Sequence, residues 1–339
     1  MKAAILEQIN TPLTIREVQP TPFKVGQVYV KVLTSGLCGA QLHEIRGHKG
    51  NAKFLPHLMG HEGCGIVKEV GPGVTTVEEG DKVVMHWRPG SGIESDFPQY
   101  VLDDGKKISS GKCTTLSEYS IVSENRLTKI PYDTPTVLAA MLGCSLTTAL
   151  GIIDNECDLK FGESVAVIGC GGVGLHLIQA AKMRCAFPIY GVDVNDKMFE
   201  LTLQMGADIF SRDIENAPGD IDVILDTTGN CSVITKAFDL LAPSGRLILV
   251  GQPQPDANLN LLNPLSFFDG QGKSIRASQG GRTNPTTDIP RYVSLATKGV
   301  LDFETLHTDT FELDEINEAF DLLKSGNAGR IMIKIGEDY

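Results

Sequence analysis

The run Val165-Ala-Val-Ile-Gly169-Cys-Gly171-Gly-Val-Gly174 decides the fold of the central part of this chain. Four apolar residues lead into the pattern G-x-G-x-x-G, and a stretch of helical character follows directly. A strand, a glycine loop and a helix in this order predict a dinucleotide-binding unit. In such a unit Gly169 permits the tight turn, Gly171 lets the backbone approach a pyrophosphate, and Gly174 lets the helix pack closely on the strand.

Further residues define how the loop binds its ligand. Gly172 and Val173 open the helix, so their amides are predicted to face the cofactor phosphates. Asp193 ends the next predicted strand, 19 residues beyond Gly174, where a carboxylate accepts hydrogen bonds from the adenosine ribose. A carboxylate repels a 2′-phosphate, and no arginine follows in residues 194–197, so NAD is favoured over NADP. The alternative is that Asp193 only caps the next helix.

The pattern around the glycine loop predicts two domains of different class. Strand-like runs at 164–168, 188–193, 223–226 and 246–251 alternate with helical runs at 174–182 and 197–205. This alternation predicts an α/β, doubly wound parallel sheet over residues 146–279. Residues 1 to about 130 instead alternate short apolar strands with glycine and proline turns, which favours a distorted β-barrel. We therefore expect a second domain built from 1–145 and 280–339.

Composition excludes several function classes. A chain of 339 residues is long enough for two domains, and its net charge of −12 argues against a nucleic-acid partner. No apolar run reaches the ~20 residues that span a bilayer. The N-terminal run, Met1 to Glu7, resembles a first strand rather than a signal peptide. Eight scattered cysteines without a framework spacing fit the reducing cytoplasm.

A metal site is predicted from residues far apart in sequence. Gly60-His61-Glu62 has Cys38 upstream and Cys144 downstream. Two thiolates and an imidazole match the ligands of catalytic zinc, which keeps a fourth position open. A dinucleotide and an open zinc on one chain point to hydride transfer at a metal-polarised oxygen.

With these motifs in this order, the chain resembles the zinc-dependent alcohol dehydrogenases of the medium-chain dehydrogenase/reductase family. The resemblance runs nearly from end to end. Besides the glycine loop, its landmarks are Gly36-Leu-Cys38-Gly39-Ala-Gln-Leu-His43, Gly60-His61-Glu62-Gly63, Gly71-Pro-Gly-Val74, Gly80-Asp81-Lys-Val83, Gly143-Cys144, Gly191-Val-Asp193, Met205-Gly206-Ala207-Asp208 and Ile316-Asn-Glu-Ala-Phe320.

The resemblance implies a β-rich, GroES-like catalytic domain made from both chain ends, with a Rossmann domain inserted between them. It implies zinc bound by Cys38, His61 and Cys144, with Glu62 as a fourth ligand or as a group that exchanges with water. It also implies a homo-oligomer, either a dimer or a tetramer.

The resemblance further assigns three side chains beside the reaction. His43 ends the proton path, Thr148 packs near the nicotinamide, and Arg330 reaches the cofactor pyrophosphate. The alternatives are a surface imidazole, an ordinary helix threonine and a solvated charge at a strand end.

Three departures from the family pattern affect the metal site. The stretch from Arg88 to Tyr119, where many members carry four cysteines around a structural zinc, contains only Cys113, so we expect one catalytic zinc per chain and no structural zinc. Ala40 and Gln41 replace the usual hydroxyl residue and acid, and Ser145 replaces a glycine. We hypothesise that Gln41 accepts a hydrogen bond from His61 through its amide oxygen.

Trp87 and Arg88 follow a predicted strand where the family places substrate-pocket side chains. The tryptophan is predicted to enclose a bulky or aromatic substrate, and the arginine to hold an anionic group; core packing and a solvated charge are the alternatives. The sequence thus predicts an NAD-dependent zinc enzyme acting on a small-molecule alcohol. Two alternatives remain open: a carbonyl reductase of the same family, and a non-catalytic cofactor-binding protein on a retired scaffold.

Overall fold

The computed structural model describes residues 1–260, 264–268 and 272–337. The chain divides into two compact units, the first made from Met1–Thr147 with Asn284–Tyr339 and the second from Thr148–Thr283. The sequence predicts the boundaries at 145/146 and 279/280, and this assignment of domains stays a prediction.

The regular elements lie along the chain as follows. The strands are β1 (Lys2–Leu6), β2 (Thr14–Pro20), β3 (Gln27–Gly36), β4 (His57–Leu58), β5 (Glu62–Val70), β6 (Lys82–His86), β7 (Gln99–Leu102), β8 (Lys107–Ser109), β9 (Tyr119–Ser123), β10 (Leu127–Lys129), β11 (Val165–Ile168), β12 (Ile189–Val192), β13 (Ile209–Ser211), β14 (Ile221–Asp226), β15 (Leu241–Leu249), β16 (Ser274–Ala277), β17 (His307–Glu312) and β18 (Arg330–Lys334). The helices are α1 (Gly39–Ile45), α2 (Thr136–Leu142), α3 (Ser145–Asn155), α4 (Gly172–Met183), α5 (Phe199–Gln204), α6 (Cys231–Asp239), α7 (Pro285–Thr297) and α8 (Ile316–Ser325).

The first unit is rich in β-structure. Strands β1, β2, β7, β8 and β4 close into a small barrel, and a second sheet has the order β10-β6-β5-β3-β18-β17, with β9 also pairing with β3. The C-terminal strand β18 runs antiparallel to β3 and pairs Met332 with Gly36. Both ends of the chain therefore contribute to one sheet.

The second unit is a six-stranded parallel sheet with the order β13-β12-β11-β14-β15-β16. The strand that carries the glycine loop, β11, is central, with β12 on one side and β14 on the other. Its residues Val165–Ile168 are all buried, as expected for a strand covered on both faces. The predicted fold class, a β-rich domain with a doubly wound parallel sheet, is confirmed.

Helix α8 shows how local sequence sets the packing of the first unit. Ile316, Ala319 and Phe320 follow the i, i+3, i+4 spacing of one helix face, and all three are buried in a core that also contains Leu37 and Met59. Fully burying an apolar side chain such as Phe320 contributes about 1.5–3 kcal/mol. The sequence predicted a helix over 313–324, but residues 313–315 form a 3₁₀ turn that leads into α8. In this turn the Glu315 carboxylate accepts the Glu312 amide as part of a capping box.

Within the described residues no single helix has the length and apolar character to cross a membrane. One bent pair of helices, α2 with α3, meets that test by length and composition alone.

Candidate active site

Three donor atoms converge in the first unit. The sulfurs of Cys38 and Cys144 and a ring nitrogen of His61 all lie within 4.8 Å of one another. Cys38 follows β3, His61 precedes β5 and Cys144 links α2 to α3. The antiparallel pairing of β3 with β5 brings the first two together, although more than 20 residues separate them in sequence.

Gly143 lets Cys144, the third residue of this group, approach the other two. A Cβ at Gly143 would lie 2.7 Å from the Cα of Glu62, so only glycine lets the chain before Cys144 approach β5 this closely. The need for glycine here comes from space alone, since Gly143 has an ordinary helical conformation, with φ of −68°.

Cys38 is fixed by the first turn of the helix that follows it. The Cys38 amide donates to Gln41 Oε1 at 2.8 Å, and the Gln41 backbone amide donates to the Cys38 carbonyl oxygen at 3.0 Å. These two bonds hold the backbone of Cys38 at the start of α1. The amide oxygen of Gln41 thus accepts the Cys38 amide, and a second hydrogen bond from His61 to this oxygen stays a prediction.

The three side chains of the trio shift one another's pKa values. The hydrogen bond between the two thiols holds the pKa of Cys38 well below its ordinary value and raises that of Cys144 well above it. Burial opposes a proton on His61, but the neighbouring Cys38 thiolate outweighs burial and raises the pKa of the ring. The group therefore already favours a thiolate, the form that binds a metal.

This donor set fits zinc. Ligands at zinc's usual bond lengths of about 2.0–2.3 Å bring donor atoms as close to each other as the trio stands here, and the two sulfurs and one nitrogen are donor types that zinc prefers. Three protein ligands leave a tetrahedral position open for a substrate oxygen.

Glu62 lies beside the trio but is held elsewhere. Its Oε2 accepts the Ser145 amide at 3.2 Å, and its Oε1 accepts from Nη2 of Arg330. Burial raises the pKa of the Glu62 carboxyl, and the Arg330 guanidinium works against that rise. The role of Glu62 as a fourth ligand stays a prediction.

Arg330 is not a solvated charge at a strand end. Its side chain is 3% exposed and faces Glu62. Its Nε is buried without a hydrogen-bond partner among the described residues. Contact of Arg330 with a cofactor pyrophosphate stays a prediction.

The remaining predicted side chains are all partly exposed. His43 lies on α1 with its ring centre 5.6 Å from that of His48, and burial lowers its pKa. Thr148 lies on α3, one turn beyond Cys144. Trp87 and Arg88 follow β6, and the Arg88 carbonyl accepts a 2.7 Å bond from Nδ1 of the buried His86. Their roles stay predictions.

The glycine loop of the second unit has the geometry that the sequence predicts. Gly169 has φ of +90°, which favours glycine, and a Cβ at Gly174 would overlap the Gly169 carbonyl. A Cβ at Gly171 would meet only open space, so there is room beside the start of α4, where Gly172 and Val173 lie. Such a space at a helix N-terminus fits a pyrophosphate.

Asp193 supports the loop from the end of β12. Its Oδ2 accepts the Cys170 amide at 2.7 Å, and its Oδ1 accepts the Asn195 amide at 2.9 Å. The carboxylate thus links the glycine loop to the neighbouring strand, an effect that sequence spacing did not indicate.

Comparison with known proteins agrees with this geometry. Residues 24–132 match the alcohol dehydrogenase GroES-like domain, and residues 172–298 match the zinc-binding dehydrogenase domain. The chain is 30% identical to S-(hydroxymethyl)glutathione dehydrogenase of Photobacterium damsela subsp. piscicida, over 98% of this chain and 99% of the relative. It is also 30% identical to alcohol dehydrogenase 2 of Oryza sativa subsp. japonica, over 99% and 97%.

This chain belongs to the zinc-type alcohol dehydrogenases. Among solved structures it is similar to benzyl alcohol dehydrogenase from Acinetobacter calcoaceticus, with a TM-score of 0.88, 25% identity and 99% of each chain covered. It is therefore an oxidoreductase of the medium-chain family that interconverts alcohols with aldehydes or ketones, and zinc and NAD are the cofactors of that chemistry.

Several supporting residues of this alcohol dehydrogenase gave no signal in the sequence. Ser35, Thr115 and His86 are buried polar residues near the metal ligands or the Trp87–Arg88 turn, and no spacing rule marks them. The one available hint is that Ser35 and His86 lie in strand-like runs, which is also true of many core residues, and Thr115 offers no such hint.

Proposed function

We propose that Cys38, His61 and Cys144 hold a single catalytic zinc in an NAD-dependent alcohol dehydrogenase. The observation that carries the proposal is the convergence of their three donor atoms within 4.8 Å in one folded unit. Zinc held there would bind the substrate oxygen and lower the pKa of an alcohol toward neutrality. Two thiolate ligands would offset the ion's charge, and the buried Glu62–Arg330 pair beside them adds no net charge.

The second unit supports the binding of NAD. The glycine loop offers the amides of Gly172 and Val173 to a pyrophosphate, and Asp193 offers a carboxylate to the adenosine ribose. The same carboxylate repels a 2′-phosphate. NAD would accept the hydride from the substrate carbon.

Proton release falls to His43 in this proposal. Ala40 has no hydroxyl with which to relay a proton, so the path runs through water or directly toward the imidazole. Because burial lowers the pKa of His43, its ring is neutral at physiological pH and able to accept a proton.

The hydrogen bonds of two carboxylates around residues 90–126 support the proposal of a single zinc. The Glu124 carboxylate accepts the amides of Thr75, Thr76 and Ile93 at 2.7–2.8 Å. Glu94 contacts Lys112 at 2.6 Å and Asn125 at 2.7 Å. These carboxylates organise a segment in which many relatives use four cysteines and a second metal.

Trp87 and Arg88 define the proposed substrate class. In this proposal the Trp87 indole lines the substrate pocket and favours a bulky or aromatic alcohol, and the Arg88 guanidinium favours one that carries an anionic group. The names of two similar proteins, a benzyl alcohol dehydrogenase and an S-(hydroxymethyl)glutathione dehydrogenase, illustrate these two classes.

Assembly and location extend the proposal. We expect a homo-oligomer, a dimer or a tetramer, and the exposed side chains of Leu265 (72%) and Phe268 (80%) offer apolar surface for a contact between copies. Light scattering that gives a monomer at working concentration would refute this. Two reduced thiols are needed at the metal site, which favours the cytoplasm.

The experiment is an alcohol panel with zinc-loaded protein and NAD. It includes ethanol, a secondary alcohol, benzyl alcohol and S-(hydroxymethyl)glutathione, and the reverse reaction is run with each carbonyl product and NADH. We expect oxidation of at least one bulky alcohol, with Arg88→Met raising KM for the anionic substrate more than for benzyl alcohol. Bound zinc without turnover in either direction would favour the retired scaffold, and a much higher kcat/KM for carbonyls would favour a reductase.

A further inference from the structure

Two buried hydroxyls lie next to the turn that carries His61 and Glu62. Ser35 Oγ, on β3, is 3.2 Å from the Glu62 carbonyl oxygen and 2.7 Å from Thr115 Oγ1. Ser35 and Thr115 are both 0% exposed. The two side chains therefore form a short chain of hydrogen bonds that ends on the backbone of β5.

The number of hydroxyl protons fixes the donor and the acceptor of each of these hydrogen bonds. The Glu62 carbonyl oxygen can only accept a hydrogen bond, so the Ser35 hydroxyl donates its single proton to that bond. Thr115 must then donate to Ser35. The two bonds form one unit, because a Ser35 that loses either partner is left with an unmatched buried group.

Thr115 also contacts the other side of the same turn. The amides of Thr115 and Leu116 donate to the Met59 carbonyl at 3.2 and 3.1 Å. Thr115 packs so closely that a Cβ at Gly60 would lie 2.8 Å from its amide nitrogen, and one at Gly63 would lie 3.0 Å from its Cγ2. Gly60 itself has φ of +96°, a conformation that favours glycine.

We propose that Thr115 and Ser35 are positioning residues of the metal centre. The peptide before Gly60 is held by the Thr115 backbone, and the peptide after Glu62 is held by its hydroxyl through Ser35. His61 and Glu62 lie between these two fixed peptides, so the hydroxyl pair sets the direction in which the imidazole meets the two sulfurs. This inference rests on the proposed ligand set and adds two residues that act through the backbone of the turn.

The placement of Thr115 gives its segment a role in catalytic metal binding. It lies in the stretch from Arg88 to Tyr119, which carries Cys113 and no other cysteine. A preformed His61 orientation lowers the reorganisation needed when the metal binds, and losing such an outer partner typically weakens metal affinity ~10–100-fold.

The test is Co²⁺ binding to metal-free protein, measured by competition with a chelator and by the absorption of the Co²⁺–thiolate centre. The variants are Thr115→Val, which keeps shape and removes the hydroxyl, Ser35→Ala, and the double variant. Thr115→Ser restores the hydroxyl. Thr114→Val is the matched control, because Thr114 is a buried neighbour whose hydroxyl contacts Ser110 and Ser120.

We expect Thr115→Val and Ser35→Ala each to weaken Co²⁺ binding by at least ~10-fold and to shift the absorption bands. The double variant should be no weaker than either single variant, and Thr115→Ser and Thr114→Val should bind as the wild type does. Wild-type affinity and spectrum in both single variants, with a lowered Tm like that of Thr114→Val, would overturn the proposal. If Thr115→Val does not fold, Ser35→Ala decides alone.

Different outcomes of this experiment contradict the proposed function and the positioning role. A wild-type protein that binds no Co²⁺ contradicts the ligand set itself and removes the basis of this inference. Wild-type binding with unaffected variants contradicts only the positioning role.

Discussion

Arg330 and Glu62 form an ion pair that is buried on both sides, with side-chain exposures of 3% and 0%. A Cβ at Gly36 would lie 2.8 Å from Nη2 of Arg330 and 2.9 Å from the Glu62 carboxyl carbon, so the pair fills the space that this glycine leaves. Strands β18, β3 and β5 thus meet at one charged contact beside the metal ligands.

We predict that Arg330→Met destabilises the protein by about 3–5 kcal/mol, because it leaves a buried carboxylate without its cation. The double variant Glu62→Gln/Arg330→Met should lose less than the two single variants added together. Urea unfolding of metal-free protein measures both. Arg16→Met, which breaks an exposed pair with Asp103, is the control and should lose at most about 1 kcal/mol. A similarly small loss for Arg330→Met would contradict the role of the pair.

His86 predicts a pH dependence of stability. Burial lowers its pKa to about 4, while an unfolded histidine titrates near 6.5. The unfolded chain therefore binds the proton first as pH falls, and this contribution, about 3 kcal/mol, is present above pH 6.5 and lost progressively toward pH 4.

His86→Asn keeps a donor for the Arg88 carbonyl and removes the titrating ring. The difference in unfolding free energy between wild type and variant should shrink by a few kcal/mol as pH falls from 7 to 4.5. His57→Asn, at a half-buried position in the same unit, controls for the loss of an imidazole. A difference that is constant across this range would show that His86 does not stay neutral in the fold.

Asp193 predicts both cofactor choice and loop order. Asp193→Ala should narrow the preference for NAD over NADP, since burying a phosphate beside an unpaired carboxylate costs several kcal/mol. It should also raise KM for NAD, because the Cys170 amide loses its acceptor. The ratio of kcat/KM for the two cofactors measures the first effect. A wild-type preference for NADP would overturn the assignment.

The sequence was sufficient, for physical reasons, to predict the fold and the three residues whose donor atoms converge. Val165 to Gly174 combines a buried strand with Gly169 and Gly174, where a Cβ would overlap neighbouring atoms, so the pattern strongly favours this strand–loop–helix unit. Cys38, His61 and Cys144 are chemically distinctive even at long range. Helix α8 was predicted from its apolar spacing over 313–324, but residues 313–315 form a 3₁₀ turn and the α-helix starts at Ile316.

The sequence could not predict the hydrogen-bond or ion-pair partner of each buried polar group. Gln41 was expected to face His61, and no spacing rule indicated that its oxygen accepts the Cys38 amide in the first turn of α1. Arg330 had two predicted environments, solvent and cofactor, and the structure pairs it with Glu62, 268 residues away. Such pairings depend on tertiary contacts between strands, which no local pattern encodes.

The most direct test of the central claim measures zinc content and NAD-dependent alcohol oxidation in the same protein samples. It compares wild type with Cys144→Ala, and uses Cys113→Ala as the control for losing a buried thiol in the same unit. The account predicts one zinc per chain and NADH formation in wild type and Cys113→Ala, with both lost in Cys144→Ala. Alcohol-dependent NADH formation that persists in zinc-free Cys144→Ala, or two zinc ions per wild-type chain, would contradict it.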